Sequence, residues 1–404
     1  MDLHSGMPFW VVLNPLYNYF NPIRKNLHTD VVIIGSGITG ALMAHELCKA
    51  KIPCIVIDKR TIGTGSSAAS TSQLQYEIDV PLHQLIKLVG KKDAEAAYKY
   101  CLQSITDVEN VFKEIGKDPD FERVPTYFFA SNKTGLKQIE KEYLARKEAQ
   151  LPVEYLTDIQ VKNELNVDVP AALYNETSAQ LDCYKGCTYI LDYHLQKKEL
   201  ELYSHTLIKD YKEIKNGYEL TTDQGKKVKC KKLIICAGFE ANQFLPQKVM
   251  NLLSTFAIIS HPLDPKLFWK NRALIWETKE PYLYVRTTSD NRIIVGGEDE
   301  EYVNPYTRDE QLKDKAKMLE KKFKKWFPEI PFVTDMSWAG TFSSTADGLP
   351  FIGKWPKRPN MYFALGYGGN GITFSMIATQ VITNVLLDKE DDRARLFGFE
   401  RLDI

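Results

Sequence analysis

Gly35, Gly37 and Gly40 stand in the spacing G-x-G-x-x-G, directly after the apolar, β-branched run 31–34. A helix-compatible stretch continues to Lys51, Pro53 interrupts it, and a second apolar strand at 54–57 ends on Asp58. Such a strand–turn–helix–strand unit suits a pyrophosphate. The first glycine permits the tight turn, the second lets backbone approach the phosphates, and the third lets helix and strand pack closely. Ser36, Ile38 and Thr39 fill the turn between the glycines and the helix start. There, free N–H groups and the positive end of the helix dipole attract an anion. An acid about 20 residues further on accepts hydrogen bonds from ribose hydroxyls. Asp58, followed by Lys59, holds that place.

A nicotinamide or a flavin dinucleotide fits this unit equally, and two further segments favour the flavin. Residues 61–72 read TIGTGSSAASTS, where Ser66, Ser67, Ser70, Thr71 and Ser72 offer small hydroxyls and exposed N–H groups to phosphate and ribityl oxygens. Near the other end, a strand at 361–364 runs into Gly366, Gly368, Gly369, Asn370 and Gly371, and a helix follows through Ile372 and Thr373. Its N-terminal N–H groups would stabilise an anionic ring.

Together with the strand KKLIICAG ending at Gly238 and the tail DGLPFIG…GYGGNGI, these segments appear in family order. The chain resembles the D-amino-acid oxidase-like family of FAD-dependent oxidoreductases, which includes glycine oxidase, sarcosine oxidase and gamma-glutamylputrescine oxidase. The resemblance runs from Asp30 to the C-terminus. It implies an α/β fold in which a Rossmann-type FAD-binding domain is interleaved with an α+β substrate domain built on a mixed sheet. The expected boundaries are an N-terminal extension over 1–29, an FAD domain from 30–89, 150–245 and 333–404, and a substrate domain from 90–149 and 246–332. Ile208 would present backbone groups to the adenine, with Ala237 and Gly238 beside the nucleotide. The implied reaction converts a small amine or amino acid to an imine by hydride transfer to flavin N5, with dioxygen as the expected reoxidant. Two alternatives keep the fold: a 2-hydroxy-acid or polyol dehydrogenase, and a non-catalytic redox or electron-transfer flavoprotein.

The sequence departs from the family pattern in places that bear on substrate. Where amino-acid oxidases of the family carry W-A-G-L-R-P, this chain reads Trp338-Ala339-Gly340-Thr341-Phe342-Ser343. Phe342 stands in place of the arginine, and a phenyl ring cannot clamp a carboxylate. Gly340 stands where a thioether cysteine would be, and the serine-rich loop lacks histidine, so FAD is expected to be non-covalent. The segment 281–297, PYLYVRTTSDNRIIVGG, puts Tyr284 and Arg286 two apart, on one face of a strand. With Tyr367 they are the candidate catalytic pocket residues. The alternative for Arg286 is a surface position on a hairpin. Trp276, Tyr282, Trp338 and Phe374 are further candidate pocket aromatics. His45 and His261 are expected to be structural.

The remaining composition sets limits. Lys plus Arg is 52 and Asp plus Glu is 52, so no general field draws nucleic acid. An apolar run of about 20 residues, as a membrane span requires, is absent. The seven scattered cysteines read as reduced thiols of a cytoplasmic protein. Cys183 and Cys187 lack a second pair, and no metal is expected. Helices are expected over 84–117, 132–149 and 308–326, with a hairpin turn at 223–225. The extension is expected to lie on the protein surface with Phe9 and Trp10 buried, or to contact a partner or a membrane surface.

Overall fold

The computed structural model describes residues 2–15 and 20–402; Met1, residues 16–19 of the expected extension and residues 403–404 of the expected last FAD segment lie outside them. The fold is built on two large sheets. In the first, Leu27–Ile34 lies between two parallel neighbours, Cys54–Ile57 and Lys227–Ile235. Leu200–Tyr203 and Met361–Leu365 extend the parallel part outwards on either side. The inner runs 31–34, 54–57 and 233–235 of these strands carry almost uninterrupted Val, Ile and Leu because both of their faces are covered. Helix Ile38–Lys49 covers one face and packs against Gly371–Leu386 and Cys183–Gln196.

The second sheet has nine strands, running from His4–Ser5 through Thr334–Ser344, Asn251–Ser260, Ile293–Glu300, Leu283–Thr287, Leu274–Glu277 and Thr126–Phe129 to Ala171–Asn175 and Glu154–Thr157. It is mixed: Leu274–Glu277 runs parallel to Thr126–Phe129, whereas its other pairs are antiparallel. The long helix Pro305–Trp326 packs on it. A three-stranded sheet of Gln73–Leu74, Ala179–Gln180 and Glu122–Arg123 completes the strands.

The sheets divide the chain differently from the expected boundaries. Glu154–Thr157 and Ala171–Asn175, expected in the FAD domain, form an edge of the nine-stranded sheet, and Thr334–Ser344 also belongs to that sheet. Conversely, helix Lys91–Ile115, expected in the substrate domain, buries Ala94, Tyr98 and Cys101 in the core that also holds Ala41 and Leu42 of the first βαβ unit. An apolar strand or helix face shows that it will be buried, not against which sheet. The expected helix over 84–117 is two, Leu82–Val89 and Lys91–Ile115, parted at Gly90 with its φ of +85°.

Residues 2–14 are an integral part of the fold. His4 and Ser5 pair with Gly340 and Ala339. Buried Arg308 clamps them, donating from Nε to Ser5 Oγ at 2.7 Å and from Nη1 to Thr341 Oγ1 at 3.0 Å. Phe9 and Trp10 are buried, and the Trp10 indole N–H donates to Ser70 O at 2.7 Å. Trp10→Ala should therefore cost about 3–5 kcal/mol by chemical unfolding, the usual loss for a buried aromatic. A variant as stable as the wild type would show that this segment is not anchored.

Candidate active site

A cavity of about 990 Å³ runs between the two sheets. Gly35, Gly37, Ile38, Thr39, Asp58, Lys59, Ser66, Ser67, Ser70, Thr71, Ser72, Ile208, Ala237 and Gly238 line it, as do Gly368, Gly369, Asn370, Gly371 and Ile372. Tyr284 and Tyr367 lie on its wall. Ser36, Gly40, Thr373 and Arg286 are not among the lining residues.

At one end, the glycine turn is closed by backbone contact. Gly35 has φ of +108°, and a Cβ there would lie 2.3 Å from Cys236 O; a Cβ on Gly40 would lie 1.9 Å from Gly35 O. Asp58 fastens the turn from the next strand: one carboxylate oxygen accepts from the backbone N and the hydroxyl of Ser36, each at 2.7 Å. The other accepts from Arg60 N at 2.8 Å. Ser67 Oγ accepts from Ile38 N at 2.9 Å, coupling the serine-rich loop to the helix start. Lys59 and Arg60, the only basic side chains on the cavity wall among the described residues, both bond Glu240.

The loop itself is held from behind. The Trp338 indole donates to Ala69 O at 2.9 Å and the Trp10 indole to Ser70 O. Arg286 Nη1 donates to Thr71 O at 2.8 Å, Ser72 O at 3.0 Å and Leu181 O at 2.9 Å. Its guanidinium also lies 5.3 Å over the Trp10 ring. Arg286 is thus neither a pocket residue nor a surface arginine. It shares a strand face with Tyr284, but Thr71 and Ser72 cap it, and only Tyr284 reaches the cavity. Burial lowers its pKa to about 10, so it stays charged at neutral pH, with carbonyl oxygens and the indole face around it. Trp338 likewise supports the loop without lining the cavity, whereas Trp276 and Tyr282 do line it. Phe374 is buried and stacks on Tyr367.

At the other end, the glycine turn leads into helix Gly371–Leu386, which has no side-chain N-cap. Asn370 Nδ2 ties the turn to the backbone of the segment before it in space, donating to Glu77 O at 2.7 Å and Gln75 O at 3.2 Å. Gly369 N donates to Asp79 at 2.7 Å. Thr39 and Ser375 hydroxyls, 2.7 Å apart, link the two helices whose starts flank the cavity.

Sequence reasoning missed Asp79, Glu280, Asp299 and Glu301, all of which line the cavity. They come from three separate segments and share no motif. Burial raises Asp299 to about 7, reinforced by the charges of Asp79, Glu280 and Glu298. Elsewhere, His45 is fully buried with Nδ1 3.0 Å from His194 Nε2, and burial lowers it to about 4. Exposed His261 lies 3.5 Å from Asp335. Cys48, His194 and Glu199 bring three ligand-type atoms within 4.8 Å of one another, away from the cavity. Both ring nitrogens of His194 already have partners there, Glu199 and His45.

Two helix starts whose N-cap residues make no side-chain cap, Gly35 and Gly40 with no room for a Cβ, and a cavity lined by both starts form a cradle that fits a dinucleotide. The model of the FAD dependent oxidoreductase family, DAO, matches residues 30–385. The chain belongs to this family. As a DAO-family flavoprotein it takes FAD as its cofactor. It is 24% identical over 403 residues to gamma-glutamylputrescine oxidoreductase of Escherichia coli (strain K12), covering 96% of this chain and 89% of that protein. The crystal structure of glycine oxidase from Geobacillus kaustophilus superposes with a TM-score of 0.76 at 19% identity, over 92% of this chain and 98% of that one. L-proline dehydrogenase from P. horikoshii gives 0.78 at 19%, over 93% and 99%. These structures share the fold. No helix among the described residues is long and apolar enough to cross a membrane.

Arg286→Met would leave the carbonyls of Thr71 and Leu181 without this donor, at about 1–3 kcal/mol each, whereas Ser72 O keeps its bond from Leu181 N. FAD affinity of the apoprotein, followed by flavin fluorescence, should fall by more than about tenfold. The KM of the FAD-loaded fraction should change little. Unchanged FAD affinity with a raised KM would instead return Arg286 to the substrate pocket.

Proposed function

We propose that this flavoenzyme oxidises the CH–NH bond of a small amine or amino acid, with dioxygen as electron acceptor. The observation that carries the reading is one continuous cavity joining a nucleotide cradle to an aromatic compartment of Trp276, Tyr282, Tyr284 and Phe342. Gly35, Gly37, Ile38 and Thr39 would hold the pyrophosphate, with Ser36 and Gly40 shaping the turn. Asp58 and Lys59 would face the ribose, and Ile208, Ala237 and Gly238 the adenine. Ser66, Ser67, Ser70, Thr71 and Ser72 would line the ribityl chain. The turn from Gly368 to Thr373 would set its N–H groups and helix dipole against the electron-rich end of the ring. Gly340 on the wall supports non-covalent attachment. Seven free, buried thiols support a reducing, cytoplasmic setting.

When bound, FAD accepts the hydride released from the carbon bearing the nitrogen. The protein supplies orientation, exclusion of water and a place for protons. Burial raises the phenols of Tyr282, Tyr284 and Tyr367, with Tyr284 at about 12, so at neutral pH they serve as hydrogen-bond donors rather than bases. Asp299 is the group on this wall suited to take a proton from a bound ammonium, since its pKa lies near working pH.

The reading predicts that the purified protein shows a flavin spectrum that an amine or amino acid bleaches without oxygen. Bleaching by a 2-hydroxy acid or polyol alone would contradict it. A second expectation concerns pH. Asp299 accepts a proton only when ionised, so kcat/KM should rise as pH climbs through about 7. Asp299→Asn should abolish that limb. A limb that persists in the variant would remove Asp299 from the reaction.

A further inference from the structure

The aromatic end of the cavity is acidic and lacks counter-charge. Asp79, Glu280, Asp299 and Glu301 lie on its wall. Asp79 stands at the glycine turn through its bond from Gly369 N, which puts the acidic group beside the second helix start. Burial raises Glu280 and Asp299, and the charge of Asp79 raises both further. The only cations lining the cavity among the described residues, Lys59 and Arg60, are bonded to Glu240 at the glycine turn of the first βαβ unit. Glu298 shows the contrast: Lys315 lies 3.7 Å from it and Lys322 contacts it directly.

Asp79, Glu280 and Glu301 are exposed and Asp299 is half-buried; none has a basic partner among the described residues, and a cleft concentrates the field of like charges on its wall. A cationic ligand is drawn by that field, and a carboxylate ligand is repelled by it. Polar atoms there also await a partner. Asp299 Oδ1, Trp276 Nε1 and the hydroxyl of Tyr367 are buried without hydrogen bonds, and Tyr367 is only 9% exposed. Around them stand π faces that favour ammonium groups: Phe128 stacks on Trp276 at 3.7 Å, and Tyr282 lies 5.8 Å from Tyr284. At the one place where the family pattern carries a carboxylate clamp, Phe342 lines the wall instead.

We propose that this compartment recognises an aliphatic diamine or polyamine, an amine with at least one further positive charge and no carboxylate. The proposal deepens the amine-oxidation reading and rests on it for the identification of the compartment as the substrate site. One ammonium approaches the ring end of the cavity, and Asp79, Glu280 and Glu301 hold the remaining charge. The carboxylates also reject amino acids, by repulsion rather than by fit.

The test compares cadaverine, pentylamine and glycine on the FAD-loaded protein, by isothermal titration calorimetry and by anaerobic bleaching of the flavin. Cadaverine and pentylamine share a carbon chain and differ by one ammonium. Cadaverine should bind at least about tenfold more tightly than pentylamine, with an affinity that falls as salt rises. Glu280→Gln, a change at an exposed position, should weaken cadaverine severalfold and leave pentylamine nearly unaffected. Glycine should bind more weakly than either. Equal affinities for cadaverine and pentylamine, tighter binding of glycine, or no effect of Glu280→Gln would overturn the proposal. Bleaching by glycine but not cadaverine would overturn it while leaving amine or amino-acid oxidation standing. Tight, Glu280-dependent binding of cadaverine with no bleaching by any amine or amino acid would do the reverse.

Discussion

Four successive carbonyls, those of Ala69, Ser70, Thr71 and Ser72, accept hydrogen bonds from buried donors that all come from outside the loop. Two of the donors are indoles and the third is a guanidinium, rigid groups whose N–H directions are fixed by packing. With the carbonyls held by these donors, Ser66, Ser67, Ser70, Thr71 and Ser72 line the cavity. Much of the structure serves this arrangement. Trp338 and Arg286 arrive on two strands of the nine-stranded sheet, and Trp10 arrives on the short helix Phe9–Leu13 that the His4–Ser5 strand positions. The loop follows directly from the first βαβ unit. The same contacts therefore form the cavity wall and join the two sheets, and a partly satisfied version would leave several polar groups buried and unpaired.

The cavity that results is electrically uneven. Its nucleotide end has two basic residues bonded to Glu240, an aspartate committed to the turn, and a helix start. Its aromatic end has a second helix start beside carboxylates that have no basic partner among the described residues. Phosphates suit the first end and cations the second. The chain's zero net charge conceals the division completely.

What was legible in the sequence was local. The glycine triplet, the apolar strands and Asp58 lie within one continuous segment, and each has a backbone reason to be where it is: a Cβ at Gly35 or Gly40 would strike carbonyl oxygens. In the second glycine turn the reason is conformational: Gly366 and Gly368 have φ of +79° and +58°, in the left-handed region. Features that depend on long-range pairing were not legible. Arg286 and Tyr284 do share a strand face, as their spacing requires, yet a loop more than two hundred residues earlier covers one and leaves the other open. The edge strand at His4–Ser5 is two residues long, too short for any periodicity. The acidic compartment is drawn from separate segments, so no spacing announces it. Helix Lys91–Ile115 shows its apolar stripe plainly but not which core receives it.

A crystal structure of the FAD-loaded protein would test the central claim, that the loop at 66–72 is held ready for the cofactor, most directly. The expected map places the cofactor along the cavity, adenine end near Ile208 and ring end near the Gly368–Ile372 turn, with the indole bonds to Ala69 O and Ser70 O and the Arg286 bonds to Thr71 O and Ser72 O unchanged. A loop that lets go of Trp10, Trp338 and Arg286 to admit FAD, or a ring lying outside this cavity, would contradict it.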